Sequence, residues 1–214
     1  MIADTYVALD TLQERYPALT PAIPTLRSAA DVLLASFQRG GKLLLAGNGG
    51  SAADCQHIAG ELLKGFHLPR PLSPMDRAAL ATQFGTAGAE LAAQLQRGLP
   101  AIALPALLAL TTAMANDVHP DLVYAQGVMA LGEPGDVLLA ISTSGMARNV
   151  LAAARVARWK GLTVIALTGH SGGELAGCSD IVILAPGATT AEIQEFHLPI
   201  YHALCSVIEA TMFS

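Results

Sequence analysis

The stretch that most limits the fold is residues 42–64, KLLLAGNGGSAADCQHIAGELLK. Four apolar residues, Leu43–Ala46, are followed at once by Gly47, Asn48, Gly49, Gly50 and Ser51, and then by a segment with helical apolar spacing. That order reads as a buried strand, a glycine turn and a helix. In a parallel α/β sheet such a turn lies at the carboxyl end of its strand, where the free N–H groups of the helix start favour an anion. Ser51 reads as the helix N-cap, its hydroxyl serving either the backbone or a ligand. Further along, His57 and Glu61 are four residues apart and share one helix face. A base and an acid beside an anion pocket point to chemistry on a phosphorylated substrate; the simpler alternatives are a tight turn and a surface pair. The loop also fits G-x-G-x-x-A through Gly47, Gly49 and Ala52. That dinucleotide fingerprint needs an acidic residue closing the next strand, about 20 residues on. FHLPRPLSP stands there instead, so dinucleotide binding is disfavoured.

Elsewhere, strands are expected at residues 99–104, 137–141, 163–167 and 181–184, each a short apolar run bounded by turn residues. Helical spacing marks 2–16 and 21–39, separated by Pro17 and Pro21, with Gly40-Gly41 ending the second. It marks 76–97, interrupted around Gly85 and Gly88; 106–115, ending in Asn116-Asp117; then 120–131, 147–160 and 189–213. Strands alternating with helices imply a three-layer α/β/α sandwich around a parallel sheet with right-handed crossovers. At 214 residues without a break in composition, the chain reads as a single domain, 1–214. Two helices ahead of the first strand cannot both be crossovers, which assigns part of the surface of residues 1–39 to contact with another subunit. Between the first strand unit and the 76–97 helix, Lys64 and the proline-rich GFHLPRPLSP, with His67 and Arg70, form a loop. A solvated connector is its plain reading, though loops on a rigid sheet often carry binding residues.

Composition removes several function classes. The chain is 52% apolar with positive mean hydropathy, which indicates heavy burial, and no run of about 18 uninterrupted apolar residues could span a membrane. MIADTYVALD at the start has no basic region of the secretory kind. Three cysteines without CxxC spacing fit a reducing cytoplasm, and none has the setting of a metal ligand. A net charge of −5 with no basic run argues against nucleic acid.

A second anion signal is Ser142, Thr143, Ser144 and Gly145, where a strand hands over to a helix. Three consecutive hydroxyls exceed what a cap needs, and with backbone N–H groups they can cradle a phosphate without lysine. Both loops would open on the carboxyl edge of the sheet, where doubly wound folds bind ligands. The last helix carries Gln194, Glu195, His197 and His202. Gln194 and His202 are eight apart, about 80° around an ideal helix, so both can border one cleft. Pro199 between them removes a backbone donor and predicts a kink or an open turn.

AGNGGSAADCQHIAGEL, ANDV, GDVLLAISTSG and IQEFHLPIYHAL together resemble the sugar isomerase (SIS) domain family, and within it the sedoheptulose 7-phosphate (phosphoheptose) isomerases. The resemblance implies a flavodoxin-like sandwich with a five-stranded parallel sheet, and a homotetramer whose active sites draw on more than one subunit. It implies an aldose–ketose isomerase working through an enediol(ate), with Glu61 as base and His202 as its acid–base partner. Asn48, Gly49 and Ser51 would line the sugar phosphate site, Ser142, Thr143 and Ser144 would grip the phosphate, Asn116 and Asp117 would lie near the sugar hydroxyls, and Gln194 would border the substrate. Some members bind zinc through residues that match His57, Glu61, Gln194 and His202. A further class within the family is non-catalytic, binding sugar phosphates or protein partners such as a replication initiator. That class tends to lose the acid–base pair, which this chain keeps. Three residues depart from the family pattern: Met146 and Ala147 stand where TSGNS would continue, and Glu192 stands where an arginine is common, a negative charge that would weaken phosphate binding if it points inward.

Overall fold

The computed structural model describes residues 6–214, so residues 2–5 of the first expected helix lie outside the described residues. Five strands, β1 (Leu43–Ala46), β2 (Ala101–Ala103), β3 (Val137–Ser142), β4 (Thr163–Gly169) and β5 (Ile181–Ala185), form one parallel sheet in the order β2-β1-β3-β4-β5. The helices among the described residues are α1 (Val7–Arg15), α2 (Ile23–Gln38), α3 (Gly50–Leu63), α4 (Pro74–Gln94), α5 (Leu108–Asp117), α6 (Val123–Leu131), α7 (Arg148–Trp159), α8 (Gly173–Gly177) and α9 (Thr190–Phe213). The expected sandwich and its five-stranded parallel sheet are therefore present.

Side chains alternate across the sheet and build two cores. Leu43, Leu45, Leu139, Ile165 and Ile183 face a cluster covered by α1, α2, α3 and α9. Leu44, Ala46, Leu138, Ala140 and Val164 face a second cluster under α6 and α7. Burial on both faces explains why these strands read as unbroken apolar runs. Truncating a fully buried leucine such as Leu138 to alanine costs about 2–5 kcal/mol.

The apolar stripe of α2 (Leu26, Ala29, Ala30, Leu33, Leu34, Phe37) is spent inside this chain, against the sheet and α9. Apolar surface is left open on α1, where Val7 is exposed, and on later helices. Across its 21 residues α4 buries only Gly88 and Ala92, and α5 buries none. Several local expectations are corrected. Residues Pro17–Ala22 form a 3-10 helix rather than a plain break. Inside α4 only Gly85 departs from helical geometry (φ 57°); Gly88 stays helical, and a Cβ there would meet Leu80 O at 1.9 Å, so its role is close packing. The helix α9 runs unbroken through Pro199. The short α8, flanked by glycines, had no periodic signal to announce it.

Strand order reverses between β1 and β3, which pair along their full common length. The chain leaves β1 toward one side of the sheet and β3 toward the other, so the loops at their carboxyl ends bound an open crevice. Both glycine- and hydroxyl-rich loops lie at that edge.

Candidate active site

The loop after β1 is shaped by its glycines. Gly49 has φ +55° and is the residue capping α3, a conformation that L side chains rarely adopt. Ser51 is thus not the N-cap expected from sequence: it is the second residue of α3 and is buried. A Cβ on Gly50 would lie 2.0 Å from Gln194 Nε2, so the bare backbone there admits the α9 side chain over the start of α3. Asn48 reaches across the crevice. Its Nδ2 donates to Asn149 Oδ1 (2.8 Å) and its Oδ1 accepts from Asn149 Nδ2 (2.9 Å), joining the β1 loop to the first turn of α7. Tyr124 donates to Gly47 O at 2.7 Å and holds the same loop from beneath.

On the other side of the crevice, Ser142 is the buried last residue of β3, Thr143 is half-buried and Ser144 is exposed. Gly145 N donates to Ser142 O (3.0 Å), closing a turn that Gly145 completes at φ +65°. Ser144 Oγ accepts from Met146 N (3.2 Å). Ala147 is the N-cap of α7 and offers no side-chain cap. Glu192 does not face the phosphate loop: its carboxylate accepts from Ala188 N and Thr189 N as half of a capping box at the start of α9. Those two backbone N–H groups hold its pKa below the usual carboxylate value.

A third group of residues meets where α3 and α9 pack together. His57 Nδ1 is 2.9 Å from Tyr201 Oη, and His57 Nε2 is 3.1 Å from Glu61 Oε1. The neutral tautomer protonated on Nε2 satisfies both, with Tyr201 O–H donating to Nδ1. The ring centroids of His57 and His202 are 5.0 Å apart and nearly perpendicular, and those of Tyr201 and His202 are 5.1 Å apart. Asp54 accepts from Gln194 Nε2 (3.2 Å) and, at the long distance of 3.4 Å, lies near Tyr201 Oη. Burial raises the pKa of Asp54, and the hydrogen bond from Gln194 opposes that rise. Burial, reinforced by the nearby His57, lowers that of His202 and so disfavours the charged imidazolium. Two atoms of the cluster, Glu61 Oε2 and His202 Nε2, are buried with no hydrogen-bond partner, although Lys64 Nζ stands 3.6 Å from the former.

The structure thus brings His57, Glu61 and His202 together, with Gln194 joined to them through Asp54 and Tyr201. It adds Asp54 and Tyr201, which sequence reasoning missed. Both had a periodic signal: Asp54 precedes His57 by three residues and Tyr201 follows Gln194 by seven, so each pair shares a helix face. Asn116 and Asp117, at the exposed end of α5, hydrogen-bond each other (2.8 Å), and among the described residues no bond ties them to either loop or to Glu61. No three His, Cys, Asp or Glu side chains among the described residues are placed to hold a metal ion as they stand.

The SIS domain family model matches residues 13–89 and 78–169. The phosphoheptose isomerase of Burkholderia pseudomallei (strain K96243) is 41% identical over 191 residues, covering 89% of this chain and 84% of the relative. That of Halorhodospira halophila is 39% identical over 207 residues, covering 95% and 91%. Among solved structures, the phosphoheptose isomerase GmhA of Neisseria gonorrhoeae superposes with a TM-score of 0.73 at 33% identity, covering 94% of this chain and 93% of that one. A phosphoheptose isomerase from Francisella tularensis gives a TM-score of 0.75, also at 33% identity, covering 93% and 92%.

Proposed function

The chain belongs to the SIS domain family, in its phosphoheptose isomerase branch, and from that premise we propose that it interconverts sedoheptulose 7-phosphate and a glycero-manno-heptose 7-phosphate through an enediolate. The observation that carries this reading is the meeting of Glu61 and His202 around His57, where α3 packs on α9.

Isomerisation moves one hydrogen from C1 to C2 of the ketose and a second from the C1 hydroxyl to the C2 oxygen. The Glu61 carboxylate takes the C1 proton, the electron pair left behind forms a C1–C2 double bond, and the C2 oxygen takes up a proton from His202. A neutral imidazole that gives up this proton becomes an imidazolate, which the C1 hydroxyl reprotonates in the second half. In the second half Glu61 returns its proton to C2 while the C1 hydroxyl surrenders its proton to His202, leaving the aldehyde at C1. The bond from His57 Nε2 to Glu61 Oε1 directs the carboxylate and leaves Oε2 open to work on carbon. At the far end of the substrate, the Ser142–Ser144 hydroxyls and the start of α7 suit the phosphate, and Asn48, Gly49 and Ser51 line the opposite wall. Asn116 and Asp117 are assigned to the sugar hydroxyls on the family pattern.

Zinc fits the cluster by donor chemistry: two imidazoles, a carboxylate and an amide oxygen from His57, Glu61, His202 and Gln194, with Glu61 Oε2 and His202 Nε2 already stripped of other partners. Bound there, zinc would supply Lewis-acid polarisation of the substrate carbonyl. Such binding would replace the contact between His57 Nε2 and Glu61 Oε1 and would compete with the base role for the same carboxylate.

We read the assembly as a homotetramer in the cytoplasm. Exposed Met75, Phe84 and Leu91 on α4, and Leu108 on α5, support burial against further copies of the chain. No helix among the described residues is long and apolar enough to cross a membrane, and Cys55, Cys178 and Cys205 are all unpaired. The direct test is incubation with sedoheptulose 7-phosphate, with the aldose product resolved by chromatography or NMR. Absence of any aldose phosphate product would refute the assignment.

A further inference from the structure

The loop after α3, which reads from sequence as a solvated connector, is held by the most deeply buried ion pair among the described residues. Arg70 is 0% exposed and Glu209 1%, and Arg70 Nε donates to Glu209 Oε1 at 2.8 Å. Neither side chain has a proton-transfer or phosphate-binding role in the reaction described above, so the isomerase chemistry does not use them directly. Burying such a pair costs desolvation that hydrophobic residues of like volume would avoid, which makes its presence here a matter for explanation.

Its remaining hydrogen bonds supply one. The other two Arg70 nitrogens donate to backbone carbonyls at the carboxyl end of α3: Nη1 to Leu62 O (2.8 Å) and Nη2 to Glu61 O (3.1 Å). One of these carbonyls belongs to the residue that acts as base. A planar fork that grips two successive carbonyls fixes both the position and the rotation of the last helical turn, which a lysine cannot do. On the other side, Glu209 accepts from three successive backbone N–H groups: Phe66 to Oε1 at 2.8 Å, then His67 and Leu68 to Oε2 at 2.7 and 3.1 Å. That grip sets the Phe66 ring against His202, with centroids 5.4 Å apart. Glu209 itself lies seven residues beyond His202, on the same face of α9. The aromatic ring of Phe213, 4.4 Å from the guanidinium carbon, covers the pair.

We infer that the Arg70–Glu209 pair is a positioning device for the isomerase reaction: Arg70 holds the helix turn that carries Glu61, Glu209 holds the loop that packs on His202, and the bond between them sets the distance across which the two groups share a substrate. The inference rests on the isomerase reading. Glu209 borders the same cavity as His202, but its carboxylate is taken up by Arg70 and three backbone N–H groups, so the pair acts on turnover and not on binding.

Three proteins assayed with sedoheptulose 7-phosphate test this: the unaltered chain, Arg70→Lys, and the paired change Arg70→Met with Glu209→Gln. The paired change removes both charges, so neither is stranded in the interior, and glutamine keeps an acceptor for the loop. The expected result is a folded paired variant whose kcat is lower by about 10-fold or more with KM within about 2-fold of the unaltered chain, and Arg70→Lys between the two. A folded paired variant with unchanged kcat, or a loss carried by KM alone, would overturn the inference. Failure of both variants to fold would also overturn it, because the pair would then serve the fold as a whole. An unaltered chain with no activity on the sugar phosphate is a distinct result: it would sink the isomerase reading, and this inference with it.

Discussion

The Tyr201 hydroxyl lies 2.9 Å from Nδ1 of His57, joining the last helix of the chain to the first helix after β1. Through it the acid–base cluster becomes continuous: Asp54 and Gln194 at one end, Glu61 and Lys64 at the other. Tyr201→Phe keeps the ring packing and removes the one partner of Nδ1, freeing the imidazole to rotate away from Glu61. Loss of a group that orients a reacting side chain typically costs about 10–100-fold, and a drop in kcat of that order with KM little changed is expected. Steady-state kinetics of the variant check this; an unchanged kcat would show that His57 needs no such anchor.

Ala147 caps α7 without a side-chain acceptor, next to the loop assigned to the phosphate. Ala147→Ser supplies a hydroxyl that can both accept from the helix backbone and donate to a phosphate oxygen. A gain of about 1 kcal/mol is expected from the cap, seen as a rise of about 2–4 °C in thermal midpoint, together with a lower KM for the sugar phosphate. Calorimetry and kinetics measure the two parts separately. A higher midpoint with unchanged or weaker substrate binding would remove Ala147 from the phosphate site.

His197 is fully buried on α9, and burial pushes its pKa down to about 4 from 6.5 against a smaller opposing effect of the Thr168 backbone. The sign of the effect follows from proton counting. Between those values the unfolded chain binds a proton that the folded chain refuses, so stability is greatest above pH 6.5 and falls as the pH drops toward 4, by about 3 kcal/mol in all. His197→Phe removes this contribution. Urea midpoints measured from pH 4.5 to 7.5 should fall less steeply with acid in the variant than in the unaltered chain; parallel curves would contradict the account.

Zinc should accompany the purified protein at about one ion per chain, given that His57, Glu61 and His202 meet in one cluster that Gln194 borders through Asp54. Elemental analysis checks the content, and His57→Gln should lower it. A protein free of zinc that turns over at full rate after chelator treatment would exclude the metal from the reaction.

Much of this architecture was legible in the sequence, for identifiable reasons. Leu43–Ala46 and Val137–Ser142 are buried on both faces, so they stand out as apolar runs closed by glycine or hydroxyl turns, and those turns are the ones at the reversal of the strand order. His57 with Glu61, and Gln194 with His202, were visible as pairs within single helices. The bonds from Asp54 and Tyr201 were not, because they form only when segments about 140 residues apart pack together. The same holds for Arg70 and Glu209, whose partner lies 139 residues away. Capping was the least legible feature: Ser51 has the right chemistry for an N-cap, but Gly49 has the backbone freedom the turn requires. Glu192, suspected as a charge near the phosphate, was absorbed by the start of its own helix.

Hydrogen transfer by Glu61 between neighbouring carbons is the central claim, and solvent labelling tests it most directly. Sedoheptulose 7-phosphate incubated with the protein in deuterium oxide should yield an aldose phosphate carrying deuterium at C2, as read by NMR. Glu61→Gln, folded as judged by circular dichroism, should yield neither product nor label. Labelled product formed by Glu61→Gln at the unaltered rate, or no product from the unaltered chain, would contradict the account.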